Sequence, residues 1–308
     1  MRYYGYDIVV VTGPTASGKT SFAALLASAT GGEIISADSR QVYRRMNIGT
    51  GKDYDDYIVN NERIPFYLVD IVDPGYKYNV YEYQRDFLKV YRKLLERDIL
   101  PVVSGGSGMY LDSIISGYKL IRVPVNKRLR EGLADKSLAE LAEILSSYKK
   151  LHNITDIDTT NRAIRAIEIE EYYLHEGSDL DEFPEIRPLV LGIKYDRDKR
   201  RERISKRLES RLNSGLVEEV KTLVDSGIST DDLIYYGLEY KFVTMYLQGQ
   251  LTYDEMKSRL ETEIHRFAKR QMTWFRGMER RGIRIHWIDG ELNKQQKLEF
   301  ALELLGKR

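Results

Sequence analysis

An eight-residue segment close to the N-terminus constrains this chain more than any other feature. Residues 13–20 read Gly-Pro-Thr-Ala-Ser-Gly-Lys-Thr and fit the phosphate-loop pattern G-x-x-x-x-G-K-[ST] at every defined position. The Ile- and Val-rich residues 7–12 before it predict a β-strand, and residues 17–29 after it have apolar side chains at helical spacing. This strand–loop–helix arrangement points backbone N–H groups and a helix N-terminus at one place, which is how proteins hold phosphate anions.

The residue types within the loop suit a bound di- or triphosphate. Gly13 and Gly18 allow positive φ and close backbone approach. Lys19 can neutralise phosphate oxygens, and the hydroxyl of Thr20 can hold Mg²⁺. The motif does not identify the reaction. An ATP-binding kinase or NTPase and an enzyme that binds the diphosphate of another substrate both fit it.

Composition narrows the class of protein. The chain has 308 residues, a net charge of +1 and no cysteine. The lack of cysteine excludes disulfides, thiolate zinc sites and cysteine nucleophiles, and favours a reducing compartment. No stretch approaches the ~20 apolar residues of a membrane span. We therefore expect a cytoplasmic protein without a membrane partner.

Apolar runs and helical patterns alternate along the chain and predict an α/β fold, a P-loop-type parallel sheet flanked by helices. We predict strands at 7–12, 33–38, 64–69, 99–104, 189–195 and 283–288. We predict helices at 17–29, 80–97 and 294–305, with a long helical stretch over 199–277. Residues 126–177 have only helical patterns. The expected domains are a core of 1–123 plus 187–308 with C-terminal helices, and a smaller all-helical insertion at 125–185.

Charge is unevenly distributed. Residues 197–211 hold eight basic and three acidic side chains, and residues 266–284 hold seven basic and one acidic. Residues 166–185 hold eight acidic side chains and no Lys or Arg. Such runs are usually solvated helix faces, but two basic runs beside a phosphate loop also fit a nucleic-acid surface. Both interpretations of the basic runs remain open at this level.

Asp38 follows the second predicted strand, at the end where open α/β sheets bind ligands. An Asp in this place is either a loop or helix cap or a catalytic carboxylate. The strand-end Asp that an NTPase uses to hold Mg²⁺ has only a weak candidate, Asp70, because the strand at 99–104 ends in Ser104. The phosphate loop is therefore not accompanied by a recognisable ATPase signature.

Five segments in this order and spacing resemble the tRNA dimethylallyltransferase family, also called tRNA isopentenyltransferases. They are the phosphate loop, residues 38–41 (Asp-Ser-Arg-Gln) with 47–52 (Asn-Ile-Gly-Thr-Gly-Lys), residues 105–110 (Gly-Gly-Ser-Gly-Met-Tyr), residues 161–168 (Asn-Arg-Ala-Ile-Arg-Ala-Ile-Glu) and residues 268–276 (Ala-Lys-Arg-Gln-Met-Thr-Trp-Phe-Arg). The resemblance spans nearly the whole chain. It implies transfer of a dimethylallyl group from its diphosphate to N6 of the adenosine 3′ of the anticodon.

The resemblance also implies roles for individual residues. The expected catalytic residues are Asp38 as general base, with Lys19, Thr20 and Arg207 at the leaving diphosphate. The expected diphosphate ligands are Gly13, Thr15, Ala16, Ser17, Gly18, Lys19, Thr20 and Arg207, with Mg²⁺ on Thr20. The expected tRNA contacts are Asp38, Ser39, Arg40, Gln41, Ser107, Asn161, Arg162, Arg165, Lys241, Lys269 and Arg270. The expected partners are dimethylallyl diphosphate and a tRNA anticodon stem-loop. We expect the helical insertion to contact this stem-loop, and we expect the acidic residues of 168–185 to face away from the tRNA. The expected state is a monomer.

Three alternatives to a tRNA prenyltransferase remain. A free-nucleotide prenyltransferase would modify AMP, ADP or ATP and needs no tRNA grip. An ATP-dependent small-molecule kinase would bind ATP in the loop, and an inactive RNA-binding paralogue would keep only the fold. The segment Gly237–Lys241 also departs from the family's usual shorter Gly-Tyr-Lys form, as do residues 65–70 and 153–158 from their usual patterns.

Overall fold

The computed structural model describes residues 5–148, 157–176 and 183–306. Its strands β1 to β8, in chain order, are Ile8–Thr12, Glu33–Ser36, Ile58–Val59, Glu62–Arg63, Phe66–Tyr67, Pro101–Gly105, Pro188–Lys194 and Ile285–Asp289. Its helices α1 to α12 are Lys19–Thr30, Val80–Glu96, Gly108–Ile115, Lys127–Leu133, Leu138–Tyr148, Thr160–Glu176, Arg197–Asn213, Leu216–Asp225, Thr230–Tyr235, Leu238–Leu247, Tyr253–Arg280 and Lys294–Leu304.

Six strands pair in parallel in the order β5-β2-β6-β1-β7-β8, and β3 and β4 form a separate hairpin. β1 lies in the middle, where Val10 is in register with Val103 of β6 and Val190 of β7. All five residues of β1 are buried, as expected for a parallel strand with both faces covered. The predicted α/β fold class is confirmed.

The carboxyl ends of the central strands meet at one edge of the sheet. Thr12 at the end of β1 is in register with Gly105 at the end of β6, and its hydroxyl donates to the Gly105 carbonyl at 2.9 Å. Ser36 at the end of β2 is in register with Ser104. The loops that leave these strands therefore begin side by side, and this places the phosphate loop next to the loops that follow Ser36 and Gly105.

Two predicted strands are shorter than expected. The strand predicted at 64–69 is reduced to β5, because Leu68 and Asp70 have φ values of +62° and +54° and turn the chain out of the sheet. The strand predicted at 33–38 ends at Ser36, which leaves Asp38 in the following loop. The other four strands lie within two residues of their predicted limits. In the described part of the chain no helix is both long and apolar enough to cross a membrane.

The chain divides into a larger unit of residues 1–118 and 184–308 and a smaller unit of residues 119–183, against predicted domains of 1–123 plus 187–308 and 125–185. The larger unit has a core of sheet residues such as Val9, Val102 and Leu191, covered by Leu26 of α1 and Ala301 of α12. The smaller unit has its own apolar core, built by residues of α4, α5 and α6: Leu133, Leu141, Leu145, Ala163, Ile164, Ala166 and Ile167.

Glu168 of the smaller unit departs from the expected solvated acidic surface. Its side chain is 1% exposed, binds Arg130 at 2.8 Å and Arg165, and accepts the Asn126 N–H at 2.6 Å. Burial alone would raise the pKa of Glu168, but the two arginines and the N–H outweigh it and lower the pKa to about 2. For this residue the solvated-surface prediction is wrong. Residues 177–182 of the acidic stretch lie outside the described residues.

Candidate active site

A cavity of about 770 Å³ opens at the carboxyl edge of the sheet, within the larger unit. The phosphate loop forms one part of its wall, and the loops after β2 and β6 form another. Helices α7, α9, α10 and α11 contribute further lining residues. The location follows the general rule that ligands of open α/β sheets bind outside the carboxyl ends of the strands.

The phosphate loop has a backbone that its glycines make possible. Gly18 is in the left-handed region with φ +77° and is the N-cap of α1. Gly13 has φ +154°, and a Cβ there would lie 2.6 Å from the Ile193 carbonyl oxygen and 2.8 Å from Ser17 Oγ. The loop thus wraps tightly enough for its N–H groups and the start of α1 to face one anion. Ser17 Oγ is buried and has no hydrogen-bond partner among the described residues.

Lys19 carries a charge that its surroundings disfavour. Its pKa is lowered to about 8: burial is the largest cause, Asp38 acts in the opposite direction, and the neighbouring Arg207 and Arg211 add to the lowering. A lysine held close to two arginines is stabilised when an anion enters the site. The electrostatics of the cavity therefore favour a polyanionic ligand.

Helix α7 presents arginines to the phosphate loop. Arg203 Nε donates to the Ala16 carbonyl at 3.0 Å, and its guanidinium lies 4.5 Å from the centroid of the Tyr195 ring. Arg207 Nη1 lies 3.4 Å from Thr15 Oγ1. Burial and the adjacent Arg211 lower the pKa of Arg207 to about 10. These contacts place the cation predicted at Arg207 against the loop, and they add Arg203, which sequence reasoning did not select.

Asp38 lies in the loop after β2, two residues beyond the end of that strand. Its Oδ1 accepts the Arg40 N–H at 2.9 Å, and the next residue, Ser39, donates its N–H to Ser107 Oγ at 2.9 Å. The carboxylate is half-buried and lines the cavity. Asp38 therefore shapes its own turn and also presents a carboxylate to the cavity, and its catalytic role stays a prediction.

Gln271 of α11 connects two parts of the cavity wall. Its Oε1 accepts the Thr15 N–H at 2.8 Å, and its Nε2 donates to the Gly106 carbonyl at 2.9 Å. The side chain is nearly buried and lines the cavity. Gln271 thus holds the phosphate loop against the loop after β6. In the sequence analysis Gln271 is part of the segment 268–276, and no role is predicted for it.

Most of the predicted site residues meet in this cavity. Fourteen line it: Thr15, Ala16, Ser17, Gly18, Lys19, Thr20, Asp38, Ser39, Arg40, Gln41, Ser107, Arg207, Lys241 and Arg270. Gly13 lies behind them at the start of the loop, and Lys269 is exposed on α11 beside Arg270. The other three belong to the smaller unit: Asn161 is exposed, Arg162 pairs with Asp158, and Arg165 pairs with Glu168 and donates to the Val123 carbonyl.

The donors near the loop suit a magnesium ion that takes only a few of its ligands from the protein. Thr20 contributes a hydroxyl, and carboxylates of Asp38, Asp53 and Asp56 line the same cavity. Among the described residues no group of three or more His, Cys, Asp or Glu side chains could hold a metal alone. Mg²⁺ commonly takes one or two protein oxygens and completes its shell with water and substrate phosphates. The residues present fit that mode, with Thr20 as the protein ligand. Asp70, the weak candidate, instead pairs with Lys52 and Tyr54.

Comparison with known proteins identifies relatives over almost the full length. The family model described as IPP transferase matches residues 41–278. The tRNA dimethylallyltransferase 2 of Phocaeicola vulgatus is 60% identical over 300 residues, which are 97% of this chain and 98% of that protein. The tRNA dimethylallyltransferase 1 of Parabacteroides distasonis is 56% identical over 303 residues, covering 98% of this chain and 99% of that protein.

Solved structures agree with these sequence matches. The full-length tRNA isopentenylpyrophosphate transferase of Bacillus halodurans superposes with a TM-score of 0.70 at 30% identity, covering 97% of this chain and 96% of that one. A eukaryotic dimethylallyltransferase acting on tRNA superposes with a TM-score of 0.78 at 18% identity, covering 98% of this chain and 80% of that one. At that identity the second match supports the fold.

Proposed function

The chain belongs to the IPP transferase family, and from that premise we propose that it transfers a dimethylallyl group from dimethylallyl diphosphate to N6 of the adenosine 3′ of a tRNA anticodon. One observation carries the proposal. A single cavity joins a cation-rich phosphate loop to a carboxylate, Asp38, and then to basic residues on α10 and α11. The diphosphate would lie at the phosphate loop, the reacting nitrogen at Asp38, and the RNA backbone along the basic residues of α10 and α11.

At the phosphate-loop end of the cavity, the site must stabilise the leaving diphosphate. N6 attacks C1 of the dimethylallyl group, the C1–O bond breaks, and the diphosphate leaves with the bonding electrons. Lys19, Arg207 and the loop N–H groups stabilise the added negative charge through preorganised electrostatics. Mg²⁺ held by Thr20 would supply further charge stabilisation when bound.

The carboxylate of Asp38 serves as general base. The lone pair of adenine N6 is delocalised into the ring, so the amine is a poor nucleophile and its proton becomes acidic only as the new N–C bond forms. A carboxylate within hydrogen-bond reach then accepts that proton. The hydrogen bond that the Arg40 N–H donates to Oδ1 fixes the orientation of the Asp38 side chain before the substrate arrives.

The RNA enters from the side of α10 and α11. Lys241 and Arg270 line the cavity there, and Arg266, Lys269, Arg276 and Arg280 are exposed along α11. A base in a stem-loop must leave its stack to reach Asp38, as in other enzymes that act on bases. These positions favour a tRNA stem-loop over a free nucleotide as the acceptor. A monomer acting in the cytoplasm, where tRNA is modified, completes the proposal.

The experiment that tests this function supplies radiolabelled dimethylallyl diphosphate and Mg²⁺ to the protein, with unmodified tRNA and with AMP in parallel. We expect label in tRNA and none in AMP. Label in AMP alone would make the protein a nucleotide prenyltransferase. If neither acceptor is labelled, and the protein instead hydrolyses ATP or transfers its phosphate to another molecule, the phosphate loop binds ATP and the proposal fails.

A further inference from the structure

Helix α7 brings a second guanidinium group to the cavity, one turn after Arg207. Arg211 lines the cavity, and its side chain is only 13% exposed. Its Nη1 donates to Glu239 of α10 at 3.1 Å and lies 3.5 Å from the Gly49 carbonyl oxygen. The carboxylate of Glu239 therefore holds Arg211 in place. Glu239 is the central residue of the segment Gly237–Lys241, and the proposed function assigns it no role.

Gly51 provides the room that this second arginine occupies. It has φ +68°, and a methyl group built on it would overlap the terminal Nη2 atoms of both Arg207 and Arg211. The two guanidinium groups therefore lie next to each other against the bare backbone of Gly51. Any larger residue there would push at least one of them away. Because the overlapping atoms are the ends of flexible side chains, the fold itself would survive the substitution.

The loop that contains Gly51 is held rigidly at both ends. Glu219 of α8 accepts the N–H groups of Asn47, Ile48 and Gly49 at 2.8, 2.7 and 3.0 Å. The ammonium of buried Lys52 donates to the Tyr43 carbonyl and to Asn47 Oδ1 at 3.1 Å. The backbone against which the two arginines pack is thus fixed by bonds that do not involve them.

Two adjacent guanidinium groups repel each other. The carboxylates of Asp53, Glu239 and Asp38 offset part of the charge of Arg207, and a bound anion would offset more. Glu239 offsets the charge of Arg211, whereas the contact of Arg207 at the loop is to a neutral hydroxyl, Thr15 Oγ1. Like charges in a partly dehydrated site are stable when a ligand of opposite charge binds both. Charge-assisted bonds from paired arginines suit phosphate oxygens in particular.

We propose that Arg211 is a second diphosphate-binding arginine, that Gly51 admits it to the site, and that Glu239 aims it. This inference rests on the proposed function only for the identity of the diphosphate as that of a prenyl donor. It explains why residues 47–51 and 237–241 belong to the site although the reaction needs neither as an acid or a base. Arg207 and Arg211 together would stabilise the negative charge of the departing diphosphate.

The test measures binding of inorganic diphosphate with Mg²⁺ to the full chain by calorimetry, without RNA. The variants are Arg211→Met, Gly51→Ala and the double variant. Losing a charge-assisted bond weakens binding by about 10-fold or more, so we expect that loss in Arg211→Met. We expect a similar loss in Gly51→Ala. The double variant should bind no worse than Arg211→Met, because the methyl group then displaces nothing further. Affinity for tRNA should stay within about 2-fold of wild type.

Gly249→Ala is the matched control. Gly249 has φ +72°, so alanine meets the same backbone strain, but no atom of the described chain lies within 4 Å of its Cβ. It should bind diphosphate like wild type. Wild-type diphosphate affinity in Arg211→Met, fully additive losses in the double variant, or a loss of tRNA affinity instead would each overturn the inference. If Gly51→Ala does not fold, Arg211→Met decides alone. A wild-type protein that binds diphosphate and labels no tRNA would contradict the proposed function, not this one.

Discussion

The properties of each charged residue in this cavity depend on the residues around it. Asp38 is one of four carboxylates on the wall, and its position in the turn after β2, next to Arg40 and Ser39, separates it from Asp53, Asp56 and Glu239. Lys19 differs from an ordinary surface lysine because burial and two arginines make its charge costly. At the scale of the residue, position relative to other charges decides the role.

The proposed role of Asp38 as general base leads to a direct prediction. Asp38→Asn keeps an oxygen that can accept the Arg40 N–H but removes the base. We expect kcat to fall by about 10²–10⁴, the range for lost general-base catalysis, with tRNA affinity nearly unchanged. Asp55→Asn, an exposed neighbour outside the cavity wall, is the control in single-turnover assays and should keep full activity. Unchanged turnover of Asp38→Asn would remove Asp38 from the base role.

The lowered pKa of Lys19 predicts a pH dependence. Its pKa lies near 8, so Lys19 is a cation below that pH and loses its charge as the pH rises through it. The KM for dimethylallyl diphosphate should therefore increase above about pH 8, because the neutral amine no longer attracts phosphate. Lys19→Arg stays charged over this range, so its KM should show no such increase. A flat wild-type profile would mean that Lys19 does not contribute to diphosphate affinity.

Helices α7 and α11 complete the site that the sheet begins. The strand ends supply the phosphate loop and Asp38, but another part of the wall comes from helices that begin at Arg197, far later along the chain. α7 brings its arginines at intervals of one turn, so three of them share a face. α11 brings Gln271, whose bonds to Thr15 and Gly106 make this helix a strut between two loops.

The bridging role of Gln271 predicts a loss of stability together with a loss of function. Gln271→Ala leaves the Thr15 N–H and the Gly106 carbonyl without their partner, which costs about 1–3 kcal/mol of unfolding free energy. We also expect the KM for dimethylallyl diphosphate to rise, since the phosphate loop loses its support. Urea unfolding and steady-state kinetics measure both effects.

Gln250→Ala is the control for this prediction. Gln250 is exposed, and its side chain bonds to Gln248. Its loss should change the unfolding free energy by less than about 0.5 kcal/mol. If Gln271→Ala unfolds at the same urea concentration as Gln250→Ala and keeps the wild-type KM, the strut has no energetic importance.

The whole molecule is almost neutral, yet its positive and negative side chains are sorted into separate segments of the chain. A net charge of +1 conceals a basic α11, where Arg266, Lys269, Arg270, Arg276 and Arg280 are exposed, and an acidic stretch in the other unit. Such sorting gives a strong local potential without a basic protein overall. Binding of tRNA should therefore depend on α11 far more than on total charge.

This distribution predicts the salt dependence of tRNA binding. Charge reversal in Lys269→Glu with Arg270→Glu should weaken binding and flatten the slope of log K against log salt, because fewer counterions are released. Filter binding over a range of salt concentrations measures the slope. Arg259→Glu, on the same helix but outside the basic run, should leave it nearly unchanged. Identical slopes for the double variant and wild type would mean that this part of α11 is an ordinary solvated face.

The sequence alone determined the features that depend on neighbouring residues. The phosphate loop, the alternation of strands and helices and the helical insertion follow from local spacing, because backbone geometry has periods of about 2 and 3.6 residues. The family followed from several short motifs in a set order. Fourteen of the predicted site residues line the cavity because those motifs sit at strand ends and helix faces that meet there.

Only the tertiary structure decided which distant residues meet. Thr15 and Gln271 are 256 positions apart, and Glu168, one of several acidic letters in its stretch, turns out to be buried between two arginines. Arg211 was one of eight basic residues in its run until the fold placed it beside Arg207 and against Gly51. Local patterns carry no information on such pairings, since the order of the strands and the packing of the helices bring them together and no sequence period encodes that order.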